Sequence, residues 1–270
     1  MTTYTQKMLT VNHNHGFFSN SSVRLHQIIH YFNTNNFTLP ETVDSSQSYL
    51  KYKESGNDND ITFDYFTHYD EVDTKIATDI SVDYDEKYQY NNYKTLDFVN
   101  IGPFVKKYFT PSIQTQEKIK EIENKYKIID YNNICVLFYR GNDKIIESPL
   151  CDYLDISERA NNILYENPSI LFLIQSDETE FIEQMQLTFP TNFFCFHDEI
   201  RHMNKQTSSV DSVFSDKNHY YSKYYLSITI IMSKCKYVIC GSTGNCSIWI
   251  SLYRGNAENF VQYMKSGWTI

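Results

Sequence analysis

The sequence has no Cys-x-x-Cys pair, its six cysteines have no histidine companions at zinc-ligand spacing, and no apolar run approaches about 18 residues. These absences argue against a zinc ribbon and a membrane span. Met1-Thr2-Thr3-Tyr4 begins no signal-peptide pattern. No Gly-x-Gly-x-x-Gly follows an apolar run, which disfavours a dinucleotide cofactor, and Gly241-Ser242-Thr243-Gly244 lacks the lysine of an NTPase phosphate loop. A Gly-x-Ser-x-Gly elbow is missing too, so a serine hydrolase is disfavoured. Positive charge is scarce: 24 basic against 33 acidic side chains leave a formal charge of −9. That disfavours general binding to nucleic acid or anionic membrane, but a nucleotide pocket needs only a few local donors. Cys135, Cys195 and Cys240 lie in or at the end of apolar runs, where cysteine acts as a small hydrophobe, and a reduced cytoplasmic setting is expected.

What is present suffices for folding. The chain has 270 residues, 41% of them hydrophobic, enough for one large domain or two modest ones. Residues 7–11 read as a short strand, followed by a loop over 12–22. Val23, Leu25, Ile28, Ile29 and Phe32 then recur at helical spacing, with Ser21 or Ser22 as N-cap. Strand, small-residue loop and helix start can together bind anions or sugar hydroxyls through free backbone N–H groups. His13 and His15 stand two apart with no third ligand, so no metal site is expected there. Strands are expected near 48–52 and 61–66, a turn at Gly102-Pro103, and an amphipathic helix over 115–127. Between Asp64 and Tyr93, acids mix with Tyr65, Tyr69, Tyr84, Tyr88, Tyr90 and Tyr93, a composition that suits either a solvated surface or a carbohydrate contact.

A domain boundary is expected near Asp130, giving domains 1–130 and 131–270. Beyond it, strands at 134–139, 170–175, 193–196, 236–240 and 259–263 alternate with helices at 157–166, 179–188, 220–234 and 245–253. This alternation predicts an α/β fold whose C-terminal half is a Rossmann-like parallel sheet with helices on both faces. The run Ile134-Cys135-Val136-Leu137-Phe138-Tyr139 stops abruptly at Arg140-Gly141-Asn142-Asp143-Lys144. Ligands of open α/β sheets bind beyond such strand ends, where Arg140 and Lys144 would face phosphates. Asp143 would orient the arginine or meet a sugar hydroxyl. The alternative is an ordinary strand end with a solvated charge cluster.

Four segments in chain order resemble fucosyltransferases of the α1,2-, α1,6- and protein O-fucosyltransferase superfamily. Gly16-Phe17-Phe18-Ser19-Asn20-Ser21-Ser22-Val23-Arg24-Leu25-His26 resembles their Gly-rich loop and Leu-His helix start. Phe138-Tyr139-Arg140-Gly141-Asn142-Asp143 resembles their His-x-Arg-x-x-Asp motif. Leu171-Phe172-Leu173-Ile174-Gln175-Ser176-Asp177-Glu178 is similar to their middle strand with its acidic turn. Tyr237-Val238-Ile239-Cys240-Gly241-Ser242-Thr243-Gly244-Asn245 resembles their late strand and Ser/Thr-rich helix start.

The resemblance implies two Rossmann-like domains of the glycosyltransferase B type, the N-terminal one on the acceptor side. It also implies an inverting mechanism without a catalytic metal or other cofactor. The donor would be GDP-fucose and the acceptor a glycan or glycoconjugate. Arg140 would hold the diphosphate and stabilise the leaving GDP, with Lys144, Gly16, Phe17, Ser176, Asp177, Ser242, Thr243, Gly244 and Asn245 as further donor-binding candidates. Glu147 is the candidate base and Asp143 its rival. Phe138 occupies the family's usual histidine position, so another nucleotide-sugar, or a non-catalytic nucleotide- or carbohydrate-binding protein of the same fold, stays open. The Phe138 ring would stack on a base or belong to the core. Around the same sheet edge, His197-Asp198-Glu199 and Arg201-His202 are candidates for base or ribose contacts. Residues 208–217 are a candidate lid, and Lys217, His219, Tyr221 and Lys223 flank the next helix start.

Overall fold

The computed structural model describes residues 8–57, 59–68, 79–80 and 93–269. They fall into two compact units, Met1–Gln116 and Glu117–Ile270. In the first unit, β1 (Met8–Thr10) leads into α1 (Phe17–Thr34), and β2 (Thr42–Asp44) then pairs parallel to β1. The apolar stripe of α1 is buried as its spacing predicts, but the helix starts earlier than expected, with Gly16 and not Ser21 or Ser22 as N-cap. The serines do not act as caps because they lie inside the first turns. Ser21 Oγ donates back to the Phe17 carbonyl (3.1 Å) and meets the Tyr49 hydroxyl (3.0 Å).

Three further expectations fail in this unit. Residues 50–52 form a 3-10 turn, not a strand, after Tyr49 adopts a left-handed φ of 59°. Tyrosine spacing there serves packing: Tyr49 is fully buried, and the Tyr52 hydroxyl accepts from the Phe17 N–H (2.7 Å). Residues 62–65 are a single helical turn, α2 (Thr62–Tyr65), started by Asp60, whose Oδ1 accepts from Thr62 N (2.9 Å) and Oγ1 (2.6 Å). Only β3 (Phe66–Thr67) is extended, antiparallel to β4 (Thr110–Pro111). Gly102-Pro103 lies inside α3 (Phe98–Tyr108), capped by Asp97. The backbone bond that Pro103 cannot make would go to Val99, which is 83% exposed, so the loss falls on the solvent side. Of the tyrosines weighed for sugar contact, Tyr65 and Tyr93 are core residues, and Tyr69, Tyr84, Tyr88 and Tyr90 lie outside the described residues.

Arg24 of α1 is fully buried and bonds three neutral groups: Ser45 Oγ (3.0 Å), the Tyr108 carbonyl (3.1 Å) and His68 Nε2 (2.7 Å). His68 must stay neutral to accept from this guanidinium. Burial, then Arg24 and Lys107, push its pKa down to about 3. Between that value and the ordinary 6.5, the unfolded chain takes up a proton that the folded chain refuses. Stability is therefore present above pH 6.5 and is lost as the pH falls below it, by about 2 kcal/mol at pH 5. His68→Gln, which keeps an acceptor, should flatten this acid limb in urea unfolding at pH 5 and 7. An unchanged pH dependence in the variant would contradict the assignment.

The unit division falls within α4 (Ile113–Lys125), the helix expected over 115–127. From there the alternating pattern holds. The second unit carries β5 (Ile134–Tyr139), α5 (Lys144–Glu147), α6 (Tyr153–Glu166), β6 (Leu171–Ser176), α7 (Thr179–Thr188) and β7 (Phe193–Phe194). It continues with α8 (Val210–Val213), α9 (Asn218–Lys234), β8 (Tyr237–Cys240), α10 (Asn245–Arg254), β9 (Phe260–Met264) and β10 (Gly267–Trp268). Strand order is β10-β9-β8-β5-β6-β7, parallel except for the antiparallel edge strand β10, which the sequence pattern did not suggest. All six residues of β5 are buried, as a strand covered on both faces requires. Cys135, Leu137 and Tyr139 face the core formed with α6 and α7, and Val136 and Phe138 point to the opposite face. From β5 the chain winds outward through β6 to β7, then crosses back to β8 on the other side of β5. The winding reverses between β5 and β8, where open α/β sheets have their ligand crevice.

All six cysteines are free and buried, and among the described residues no helix is long and apolar enough to cross a membrane.

Candidate functional site

The crevice between β5 and β8 is held by short bonds across it. Gly241 N donates to the Phe138 carbonyl (2.8 Å), and Arg140 N donates to Ser242 Oγ (3.0 Å). The Arg140 side chain, 18% exposed, gives Nε to Asp177 Oδ2 (2.7 Å), one terminal nitrogen to the Tyr225 hydroxyl (3.0 Å) and the other to Asp143 Oδ1 (3.2 Å). Burial alone would lower its pKa. Asp177, then Tyr225 and Asp143, outweigh burial and raise it well above the ordinary value, so the charge is fixed. Asp143 therefore orients the arginine, one of the two roles its position suggested. Asp177 also accepts from Gly141 N (3.0 Å), which fixes the backbone that carries the guanidinium.

The turn after β5 is tied down by Asn142, whose left-handed φ of 34° is one that asparagine tolerates. Its amide donates to the Asp177 carbonyl (2.6 Å) and accepts from Gln206 N (3.0 Å). Gly141 lies so close to the Glu178 carboxyl that any side chain there would overlap it. Burial pushes that carboxyl above the usual carboxylate range, against the pull of the Tyr153 hydroxyl and Lys205. Lys144 pairs with Glu147 on α5 and lies 3.9 Å from Asp143.

The other half of the site is the start of α10. Gly244 is its N-cap, no side chain caps it, and its first turn holds no acidic residue. The Lys144 Cε lies 3.8 Å from where a Gly244 Cβ would be, which brings an ammonium stem to this helix start. Asn245 Oδ1 is buried without a hydrogen-bond partner. Below, Gln262 Nε2 of β9 donates to the Ser242 carbonyl (3.2 Å) and Ser247 Oγ (2.8 Å), fixing the loop from behind. Free N–H groups at a helix start, beside a lysine, are of the kind that can hold an anion.

A small cleft of about 70 Å³, open to solvent, extends from Arg140 along α9. Its walls include Phe138, Gln175, Ser176, Asp177, Tyr221 and Tyr225. Of the 197–202 segment, Glu199 and Arg201 line it, whereas Asp198 is 81% exposed and His202 bonds Thr179. The segment 208–217, the candidate lid, contains α8 and a 3-10 turn. Arg201 secures it by bonds to Asp211 (2.5 Å), the Phe214 carbonyl (3.1 Å) and Asn218 Oδ1 (2.6 Å). Tyr221 lines the cleft, and Lys217, His219 and Lys223 do not.

Thus Arg140, Asp143, Lys144, Glu147, Ser176, Asp177 and the Ser242–Asn245 turn lie at one edge of one sheet. Gly16 and Phe17 lie in the first unit. Phe17 is 1% exposed in an aromatic cluster, and its N–H is already bonded to Tyr52. His13 and His15 stack with ring centroids 4.4 Å apart, and burial, then His15, push His13 down to about 4. Sequence reasoning missed Tyr225, Gln262, Gln206 and Glu178. A glutamine at the centre of the last apolar strand was the one local signal for Gln262.

No protein-family model matches the chain, and no curated protein matches it in sequence. Solved structures do. Fucosyltransferase NodZ from Bradyrhizobium aligns over 97% of this chain and 97% of its own, with a TM-score of 0.56 and 8% identity. NodZ α-1,6-fucosyltransferase co-crystallised with GDP covers the same shares at a TM-score of 0.52 and 8% identity. A NodZ structure soaked with GDP-fucose aligns over 64% of this chain and 52% of that one, so the chain spans about half its length, at a TM-score of 0.40 and 8% identity. The chain has a fucosyltransferase-like fold, mixed α/β with helices around a mostly parallel sheet.

Proposed function

We propose that this chain is a glycosyltransferase that moves L-fucose from GDP-fucose to a glycan hydroxyl, with inversion and without a catalytic metal. The observation that carries this reading is the Arg140–Ser242 juxtaposition at the winding reversal. The Arg140 backbone N–H bonds the Ser242 hydroxyl there, Lys144 reaches the uncapped start of α10, and a small cleft opens beside the Arg140 side chain. The acceptor oxygen attacks the anomeric carbon as the bond to the β-phosphate breaks. The electron pair leaves with GDP, whose growing charge Arg140, Lys144 and the α10 start would stabilise in place of a metal. The acceptor proton passes to a carboxylate. Glu147, 36% exposed on α5 and paired with Lys144, is the candidate, and Asp143, whose carboxylate is held by Arg140, is its rival.

A donor screen by melting temperature tests the reading. GDP at about 100 times its Kd should stabilise the chain by about 2.7 kcal/mol, with no comparable effect from UDP. Stabilisation by UDP and none by GDP would move the donor to another nucleotide-sugar. A second reading, a non-catalytic binding protein, is favoured by Phe138 at the motif's histidine position and by an Arg140 whose three nitrogens already have partners. GDP binding without any release of GDP from GDP-fucose, with or without acceptor glycans, would select it.

A further inference from the structure

Residues 203–206 are strapped across the ends of β5 and β6. Met203 N donates to the Asp177 carbonyl (3.1 Å), and Thr179 N donates back to the Met203 carbonyl (3.0 Å). Lys205 N meets both oxygens of the Glu180 carboxylate (3.1 and 3.0 Å), and Gln206 N donates to Asn142 Oδ1 (3.0 Å). The strap therefore holds both the turn that carries Arg140 and the turn that carries Asp177. From it the chain runs on into the wall of the cleft at Val210 and Asp211.

Glu178 lies where the two turns and the strap meet. Its side chain is fully buried, and among the described residues neither carboxyl oxygen has a hydrogen-bond partner. Lys205 Nζ is 3.7 Å from Oε1, too far for a hydrogen bond, on a side chain that is 57% exposed. The other groups that face it are Tyr139 of β5, Tyr153 of α6, Asp177 after β6 and Glu180 of α7. An ionised Glu178 would thus meet two acids, two phenols and one loosely placed cation. The Gly141 backbone is packed against the carboxyl and leaves no room for water on that side. A charge buried in this way either takes up a proton or opens its surroundings to water. The neutral acid fits as it stands, with the buried Tyr153 hydroxyl as a hydrogen-bonding neighbour of its own kind.

We propose that Glu178 is a proton-operated latch. As the neutral acid it lets the strap close over the Arg140 turn, and as the carboxylate it draws in water and lifts residues 203–206 from that turn. The neutral form is complete below the ordinary carboxylate value of 4.5 and is lost as the pH rises through a higher midpoint. A rise in pH then loosens the segment that leads into the cleft wall, and a fall secures it. Neither state depends on what the cleft binds.

Amide hydrogen exchange of the full chain by NMR between pH 4 and 7 tests the latch, with no nucleotide present. Protection factors at Met203 and Gln206 are compared with those of β6, which report opening of the whole unit. The carboxyl carbon of Glu178 is followed in the same samples. It should titrate above 4.5, and protection at Met203 and Gln206 should fall at least about tenfold relative to β6 across that titration. Glu178→Gln, which keeps the shape and cannot ionise, should hold the strap protected throughout. A Glu178 carbon that titrates at or below 4.5 overturns the latch. So does protection that stays level through the titration, or that rises because Lys205 is drawn in. Those outcomes are read in the wild type, whether or not the variant folds. A folded Glu178→Gln protein whose strap loosens over the same pH range overturns it as well.

Discussion

If the proposed transfer is this chain's activity, Arg140→Lys should lower it by about two to three orders of magnitude, the usual loss when an aligned donor to a developing oxyanion is removed. Lysine keeps the positive charge and can retain one ion pair with Asp177. It cannot reproduce a planar fork that meets Asp177, Tyr225 and Asp143 at once while offering edges to a diphosphate. The unfolding midpoint should move little, with a stability loss of about 1–2 kcal/mol. Arg140→Ala should behave differently. It leaves Asp177, 4% exposed, with its charge unbalanced, so stability should fall by about 3 kcal/mol along with activity. Steady-state rates beside urea unfolding separate the two effects. Near-normal transfer by a folded Arg140→Lys protein would contradict the role given to the guanidinium.

Gly241→Ala should produce a clear stability loss at this edge. The added Cβ would sit 2.7 Å from Tyr139 Cδ2, 3.0 Å from Cys151 Sγ and closer still to Ile156 Cδ1. All three residues are buried at 4% exposure or less, and the tyrosine ring is stacked on Phe181 with centroids 4.9 Å apart. None can move without disturbing the core between the sheet and α6, so a loss of about 1–3 kcal/mol is expected in urea unfolding. Ser242 follows directly, and the displaced loop should also weaken GDP binding. Gly255→Ala offers a comparison, because a Cβ there meets nothing within 4 Å and its φ of 75° gives a purely backbone penalty. If Gly241→Ala is no less stable than Gly255→Ala, the close packing of the β8 turn is not what the structure indicates.

The second unit was legible because its strands are buried on both faces. A run such as 134–139 had to be apolar throughout, and the charges at 140–144 marked where the sheet ends. The first unit was not, because its tyrosines and serines do different work from what their propensities suggest. Tyr49 and Tyr52 pack and hydrogen-bond from a turn, Ser21 bonds inside a helix, and Pro103 sits within one. The site was readable where it is local, as in Arg140, Asp143 and Lys144. Tyr225 meets Arg140 from 85 residues away, and Gln206 meets Asn142 from 64, so no local pattern announced them. The resemblance to fucosyltransferases located the Ser242–Asn245 turn, and its pairing with Arg140 became visible only once β8 was seen beside β5.

A crystal structure of the chain soaked with GDP tests the central claim most directly. Diphosphate oxygens should lie within hydrogen-bond distance of both the Arg140 guanidinium and the backbone N–H groups at the start of α10. A diphosphate that meets only one of these groups, or a nucleotide seated away from the β5–β8 crevice, would contradict it.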